Sequence, residues 1–182
     1  MFKTLVKIGS LACLLSFTAV GHTQALPTAT GGGGLQVGGG WSYAKPDYGQ
    51  KNIQGITGFA DFDFTPHIGV EADVHYVALI TPTDLAEDTY EIGPRYVYRK
   101  GRFAPYVKFQ VGIGSLVVQE VQDNPATNTG TFFMYSFGGG LDILATHHIV
   151  IRAIDFEAQK WPGLGNGLSP YVGTVGVAYR FH

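Results

Sequence analysis

The stretch "GVEADVHYV", residues 69–77, alternates between two kinds of side chain. Its even-numbered positions are apolar or aromatic, whereas positions 71, 73 and 75 carry two acids and a histidine. A period of two is typical of a β-strand with two unlike faces. In a water-soluble sheet the apolar face would pack into a core. In a barrel that crosses a membrane the apolar face would meet lipid, so the fold depends on which face points inward.

The same alternation recurs along the chain, and no helical stripe interrupts it. The alternating segments are 35–44, 54–64, 68–77, 89–99, 103–115, 131–143, 148–159 and 169–181. Short links at 65–67, 100–102 and 144–147 take turns with longer ones at 45–52, 78–88, 116–130 and 160–168. Short turns at one end and long loops at the other are typical of transmembrane barrels. The sequence therefore predicts an all-β fold, an eight-stranded antiparallel up-and-down transmembrane β-barrel.

The composition favours a β-rich protein and indicates no nucleic-acid partner. Charged residues make up 14% of the 182 residues, aromatic residues make up 13%, and there are 26 glycines. The formal net charge is −2, and no basic cluster is present.

The N-terminal segment has the three-part layout of a secretory signal peptide. Lys3 and Lys7 precede an apolar run over about 8–20, and small residues Thr23 and Ala25 follow it. The run is shorter than the roughly 20 residues of a spanning helix. We expect a signal peptide over 1–25 with cleavage after Ala25, a flexible glycine-rich lead-in over 26–34, and a barrel over 35–182.

Side-chain volume decides which face points inward. Alternate positions on each segment form two faces. One face carries large apolar and aromatic residues without charge, and the other carries the acids and bases among glycines and alanines. An eight-stranded barrel is only wide enough to be filled by side chains, so the face with the large apolar residues would overfill its interior. The acids should therefore face inward. The predicted interior charge network comprises Asp61, Asp63, Glu71, Asp73, Glu91, Arg95, Lys108, Asp142, Arg152, Asp155, Glu157 and Arg180.

Two local features follow from this assignment. The turn near Pro66 places Asp61 opposite Glu71, and such like charges need basic partners inside the barrel. Arg152 has the opposite parity to Asp155, so a β-bulge near 153–154 is needed to direct both inward. We expect a salt-bridge network that plugs the barrel, with a cation site or a narrow polar pore as the alternatives.

No catalytic residue, cofactor or metal site is predicted. The adjacent His147 and His148 would point to opposite faces of a strand and make a poor chelate. The glycine runs at 31–34 and 38–40 lack the Lys-Ser/Thr of a phosphate-binding loop.

The last segment carries a family resemblance. "YVGTVGVAYRFH", residues 171–182, alternates and ends with Tyr179 and Phe181, followed by one further residue, His182. It resembles the C-terminal assembly signal of outer-membrane barrel proteins, and 35–182 resembles their small OmpA-like and OmpX-like members. The resemblance implies export to the bacterial outer membrane, insertion by the barrel-assembly machinery, contact with membrane lipid and lipopolysaccharide, and no enzymatic activity.

The expected function is a structural or adhesive barrel whose external loops meet extracellular partners. A small-solute channel is the alternative, and a lipid-A-modifying enzyme is a third. Deacylases of that third kind place a His and a Ser two positions apart on a strand, a pair that this sequence lacks.

Processing can be tested directly. Mass spectrometry of the mature protein should find Leu26 as its first residue, because the cleavage site follows Ala25. An intact Met1 on protein recovered from the outer membrane would contradict this expectation.

Overall fold

A computed structural model describes residues 34–47, 52–77, 85–118, 127–163 and 167–181, all within the unit 32–182. The predicted signal peptide and residues 26–33 of the lead-in lie outside this range. The strands are β1 (Gly34–Lys45), β2 (Ile53–Asp63), β3 (Ile68–Val77), β4 (Leu85–Val97), β5 (Phe103–Val118), β6 (Thr127–Leu144), β7 (Ile149–Lys160) and β8 (Tyr171–Phe181). The described residues contain no helix long and apolar enough to span a membrane.

The strands form one closed antiparallel barrel. Each strand pairs with its neighbours in sequence, and β1 closes the sheet on β8 through pairs such as Trp41 with Val175. The predicted opposition of Asp61 and Glu71 is confirmed by the β2–β3 register. Closure gives every described strand two hydrogen-bonded partners, as a lipid environment demands.

The burial of alternate residues confirms that the acids face inward. On β3, Glu71, Asp73 and His75 are fully buried, while Val74 and Tyr76 on the other face remain partly exposed. The outward face of the barrel is a continuous band of exposed aliphatic and aromatic side chains. An apolar surface of this extent marks contact with lipid.

We name the two ends of the barrel by their connections. The short-turn end holds the links 64–67, 98–102 and 145–148, and the long-loop end holds those after β1, β3, β5 and β7. Outward tyrosines lie near both ends, as interfacial belts require. Examples are Tyr43 and Tyr171 near the long-loop end, and Tyr98 and Tyr179 near the short-turn end.

Several strand boundaries differ from the sequence prediction. β4 already begins at Leu85, β5 continues to Val118 and β6 begins at Thr127, so the links predicted over 78–88 and 116–130 are shorter. β8 begins at Tyr171 rather than at Ser169. The extra residues of β4 continue the alternation, since Glu87 is buried. They include two acids, so their sequence resembles that of a loop.

The predicted β-bulge in β7 is confirmed. The β6–β7 register shifts between Leu141 and Asp142, and the β7–β8 register shifts between Arg152 and Asp155. The extra residue turns Ile154 outward and leaves Arg152 and Asp155 both buried.

Two of the short turns share one design. The hydroxyl groups of Thr65 and Thr146 each accept hydrogen bonds from the backbone amides two and three residues later. In the second turn, His148 Nδ1 donates to the carbonyl of Arg180 at 3.2 Å, and its ring stacks on Tyr179 at 5.5 Å. His148 thus fastens the turn to the last strand.

Depth along the outward face gives a stability prediction. Ile92 lies mid-strand and Tyr98 lies just beyond the short-turn end of β4, and both are about half exposed. Ile92→Arg should destabilise the barrel by about 2–4 kcal/mol and Tyr98→Arg by about 0–1 kcal/mol, because arginine costs most at the bilayer centre. Unfolding titrations from lipid vesicles measure both; equal losses would contradict the lipid-facing assignment.

Candidate functional site: the barrel interior

Two arginines bind three acids in the half of the barrel nearer the short turns. Arg95 of β4 lies 2.5 Å from Asp61 and 3.3 Å from Glu71 through Nη1 and Nε, and it also pairs with Asp142. Arg152 of β7 contacts Glu71 and Asp61 at 3.0 Å each and Asp142 at 3.3 Å. The opposition of Asp61 and Glu71 is therefore stabilised by two guanidinium groups that reach in from other strands.

Two aromatic rings support these guanidinium groups. The Cζ atom of Arg152 lies 3.7 Å from the ring centroid of Phe59, and that of Arg95 lies 4.0 Å from the centroid of Tyr106. Such contacts are stabilising when they are desolvated. Neither ring was predicted from the sequence, because only small and charged residues were expected inside. Parity could have found Phe59, since it alternates with Asp61.

Lys108 forms a second centre, one step toward the long-loop end. Its Nζ atom lies 2.6–2.8 Å from carboxylate oxygens on β3 and β7, and its side chain is fully buried. These partners are Glu71, Asp73, Asp155 and Glu157. Gln110 adds a hydrogen bond of 2.7 Å to Asp73. A single ammonium group thus binds acids from both sides of the interior.

A hydrogen-bonded layer continues beyond Lys108. His75 Nε2 lies 3.4 Å from Glu157, and His75 Nδ1 lies 2.7 Å from the hydroxyl of Thr57. Glu91 accepts hydrogen bonds from Ser136 at 2.5 Å and from Gln159 at 2.9 Å. Neutral polar side chains therefore extend the network beyond Lys108, toward the long-loop end. The sequence prediction did not include them, because it considered only charged residues.

Asp63 and Arg180 lie at the short-turn mouth. Arg99 pairs with Asp63, and Arg180 lies 3.7 Å from the same carboxylate. The side chains of Arg99 and Arg180 remain 26% and 18% exposed. Arg180 is thus placed at the rim rather than in the buried network, because the last strand ends there.

Clusters of buried apolar side chains lie toward both ends of the interior. At the long-loop end the clusters are Leu116, Met134, Trp161 and Leu168, and Ala44, Ile53, Val77 and Val172. At the short-turn end they are Phe59, Val150 and Ala178, and Val97, Ala104 and Tyr106. Trp161 is fully buried against Gly114, where any Cβ would overlap its ring. The Lys108 centre therefore lies between apolar clusters, whereas Asp63, Arg99 and Arg180 lie beyond them at the short-turn mouth.

Two groups of interior side chains have the spacing of metal ligands. They are Asp73, His75 and Glu157, and Glu71, Asp73 and Asp155. Each group includes carboxylates that already bind Lys108 Nζ, so the ammonium group occupies the place of a cation. The geometry thus favours an internal ion pair at this position.

Sequence and structure comparisons identify the family. The profile of the outer membrane protein beta-barrel domain family matches residues 10–181. The chain belongs to this family. The family indicates the bacterial outer membrane as its location. No curated protein sequence matches the chain.

Solved structures share the fold at low sequence identity. OprG from Pseudomonas aeruginosa is 15% identical, with 84% of this chain and 98% of that chain covered and a TM-score of 0.61. Neisserial surface protein A is 11% identical over 81% and 95%, with a TM-score of 0.58. Ail, the attachment invasion locus protein of Yersinia pestis, is 18% identical over 84% and 99%, with a TM-score of 0.56.

The Lys108 centre should dominate interior stability. Lys108→Met removes the one ammonium group bound by its four carboxylates, and we expect a loss of about 3–5 kcal/mol from the uncompensated charge. Adding Glu157→Gln should recover part of this loss, because it removes one of the opposed acids. Lys100→Met on the exposed turn is the matched control. Urea unfolding from vesicles measures all four proteins; equal effects of the two lysine substitutions would contradict the assigned role.

Proposed function

We propose that the protein is a non-enzymatic structural or adhesive barrel of the outer membrane, with a plugged interior that supports partner-facing external loops. The observation that carries this proposal is the network of Arg95, Arg152 and Lys108, whose ion pairs reach acids on β2, β3, β6 and β7 across the interior. Ion pairs of both signs would leave little room for a solute, because an eight-stranded barrel is only wide enough to be filled by side chains.

The network also supports the scaffold role because it joins strands that are not neighbours. Arg95 on β4 binds acids on β2, β3 and β6, and Arg152 on β7 reaches the same acids. Gln36 on β1 donates hydrogen bonds to Asp61 and Asp142. Cross-barrel contacts oppose flattening and twisting of the wall, which makes the barrel a rigid base for its loops.

The proposed orientation places the short turns in the periplasm and the long connections outside. In this orientation the loops after β1, β3, β5 and β7 would meet extracellular partners. One solved structure with this fold is Ail, the attachment invasion locus protein of Yersinia pestis, in complex with a heparin analogue. An attachment protein with the same fold supports the adhesive role proposed for this chain.

Export and assembly complete the proposal. The segment 1–25 would be removed after translocation, and the barrel-assembly machinery would recognise the C-terminal strand. Tyr179 and Phe181 lie on the outward face of that strand and are about half exposed. Their rings are available to a partner before lipid covers them.

A cation pathway is the second candidate, and one observation favours it. Among the described residues, buried carboxylates outnumber buried Arg and Lys side chains nine to three. A hydrated interior with this excess would prefer cations. We assign no enzymatic step, since the interior acids are engaged in ion pairs and hydrogen bonds.

Conductance separates the two candidates. The wild-type protein in planar bilayers should show no steady conductance, because a plugged interior would leave no continuous water path. Arg95→Ala should open a small conductance as water replaces its guanidinium group. Arg99→Ala should not, because the Arg99 side chain is partly exposed at the short-turn mouth. Steady, cation-selective conductance of the wild type would overturn the plug and favour the pathway.

A further inference from the structure

A groove of about 380 Å³ lies on the outward wall near the long-loop end. Its lining residues are Tyr43, Lys45, Phe156, Tyr171 and Gly173, which belong to β1, β7 and β8. Its volume falls within the roughly 300–1,000 Å³ of small-molecule sites. Apart from Lys45, the lining is aromatic or glycine, so the groove offers an apolar slot on the lipid-facing surface.

The strand register builds this slot around one glycine. Gly173 of β8 lies directly between Tyr43 of β1 and Phe156 of β7. The absence of a side chain leaves a gap, and a Cβ there would have no neighbour closer than 3.9 Å. Phe156 and Tyr171 stack at 5.7 Å and form one wall. Extended hydrocarbon fits a channel of this shape.

Charged side chains lie in and beside the groove at the long-loop end of the barrel. Lys45 is exposed opposite Tyr171 at the end of β1. Lys160 is exposed at the end of β7, with its Nζ 2.5 Å from the hydroxyl of Ser169. Asp47 is also present and accepts a hydrogen bond of 2.6 Å from the Ser169 amide. Among the described residues beside the groove, two lysines and one aspartate give a net positive charge.

We propose that this groove binds an acyl chain of the lipid A part of lipopolysaccharide, with a lipid A phosphate on Lys45. The apolar slot takes the chain, and an ammonium group pairs with a phosphate through a charge-assisted hydrogen bond. The choice of lipid A over a phospholipid rests on the orientation proposed above, which places this end in the outer leaflet.

A second groove on the wall lacks this combination. It has about 250 Å³ and is lined by apolar residues such as Ile68 and Phe137, together with Arg95 and Lys108. Those two bases are buried and bound to interior acids, so they are not available to a headgroup. Of these two grooves in the described part of the chain, the first therefore joins a hydrocarbon slot to an exposed cation.

Native mass spectrometry of the folded protein in detergent tests the proposal, with bis-phosphorylated lipid A as the probe. Gly173→Leu fills the slot and Lys45→Gln removes the cation, and each should weaken binding by about fivefold or more. Gly58→Leu is the matched control, since Gly58 is also outward-facing with open space around it. Lys100→Gln is the control for charge at the opposite end.

Each outcome decides a part of the proposal. Loss of binding in Gly173→Leu and Lys45→Gln, but not in the controls, supports it. Unchanged binding in Gly173→Leu overturns the groove, and unchanged binding in Lys45→Gln overturns the phosphate contact. Equal binding of phosphatidylglycerol overturns the choice of lipid A. Because binding is measured in detergent without any current, its failure is distinct from a failure of the plug in bilayers.

Discussion

Lys108 lies within 2.8 Å of carboxylate oxygens from four acidic residues, and the rest of the interior depends on this contact. The four acids extend from β3 and β7, so without a cation between them their repulsion would oppose the closed barrel. Glu71 also binds Arg95 and Arg152, which joins the ammonium centre to the guanidinium layer. Glu71 thus connects the two parts of the network, together with Asp155, which lies 3.6 Å from Arg152 and 2.7 Å from Lys108.

The lipid outside explains why charges are buried at all. A barrel wall in a membrane must be apolar on its outer face, and strand alternation then leaves every second side chain to the interior. Eight strands enclose a space that side chains can fill, so small residues, paired charges and a few large rings share it. The close approach of Trp161 to Gly114 shows how tightly this space is used at the long-loop end.

The sequence predicted most of the fold, because the relevant signals are local. Alternation on β3 decided the face, the short turn near Pro66 fixed the register of Asp61 with Glu71, and the parity conflict in β7 located the bulge. Alternation places Phe59 and Tyr106 inside, but their position beneath the guanidinium groups depends on contacts between distant strands and could not be predicted. The groove at Gly173 likewise arises from β1, β7 and β8, which only closure brings together.

The ion pairs of the interior and the long loops involve different residues. The ion pairs of Arg95, Arg152 and Lys108 involve residues within the strands, and the links at the long-loop end contribute none of these contacts among the described residues. Loop sequences can therefore change without disturbing the network that stabilises the barrel, since long loops add little entropic cost. This separation supports the scaffold role proposed above, in which the loops can vary while the wall and its interior stay fixed.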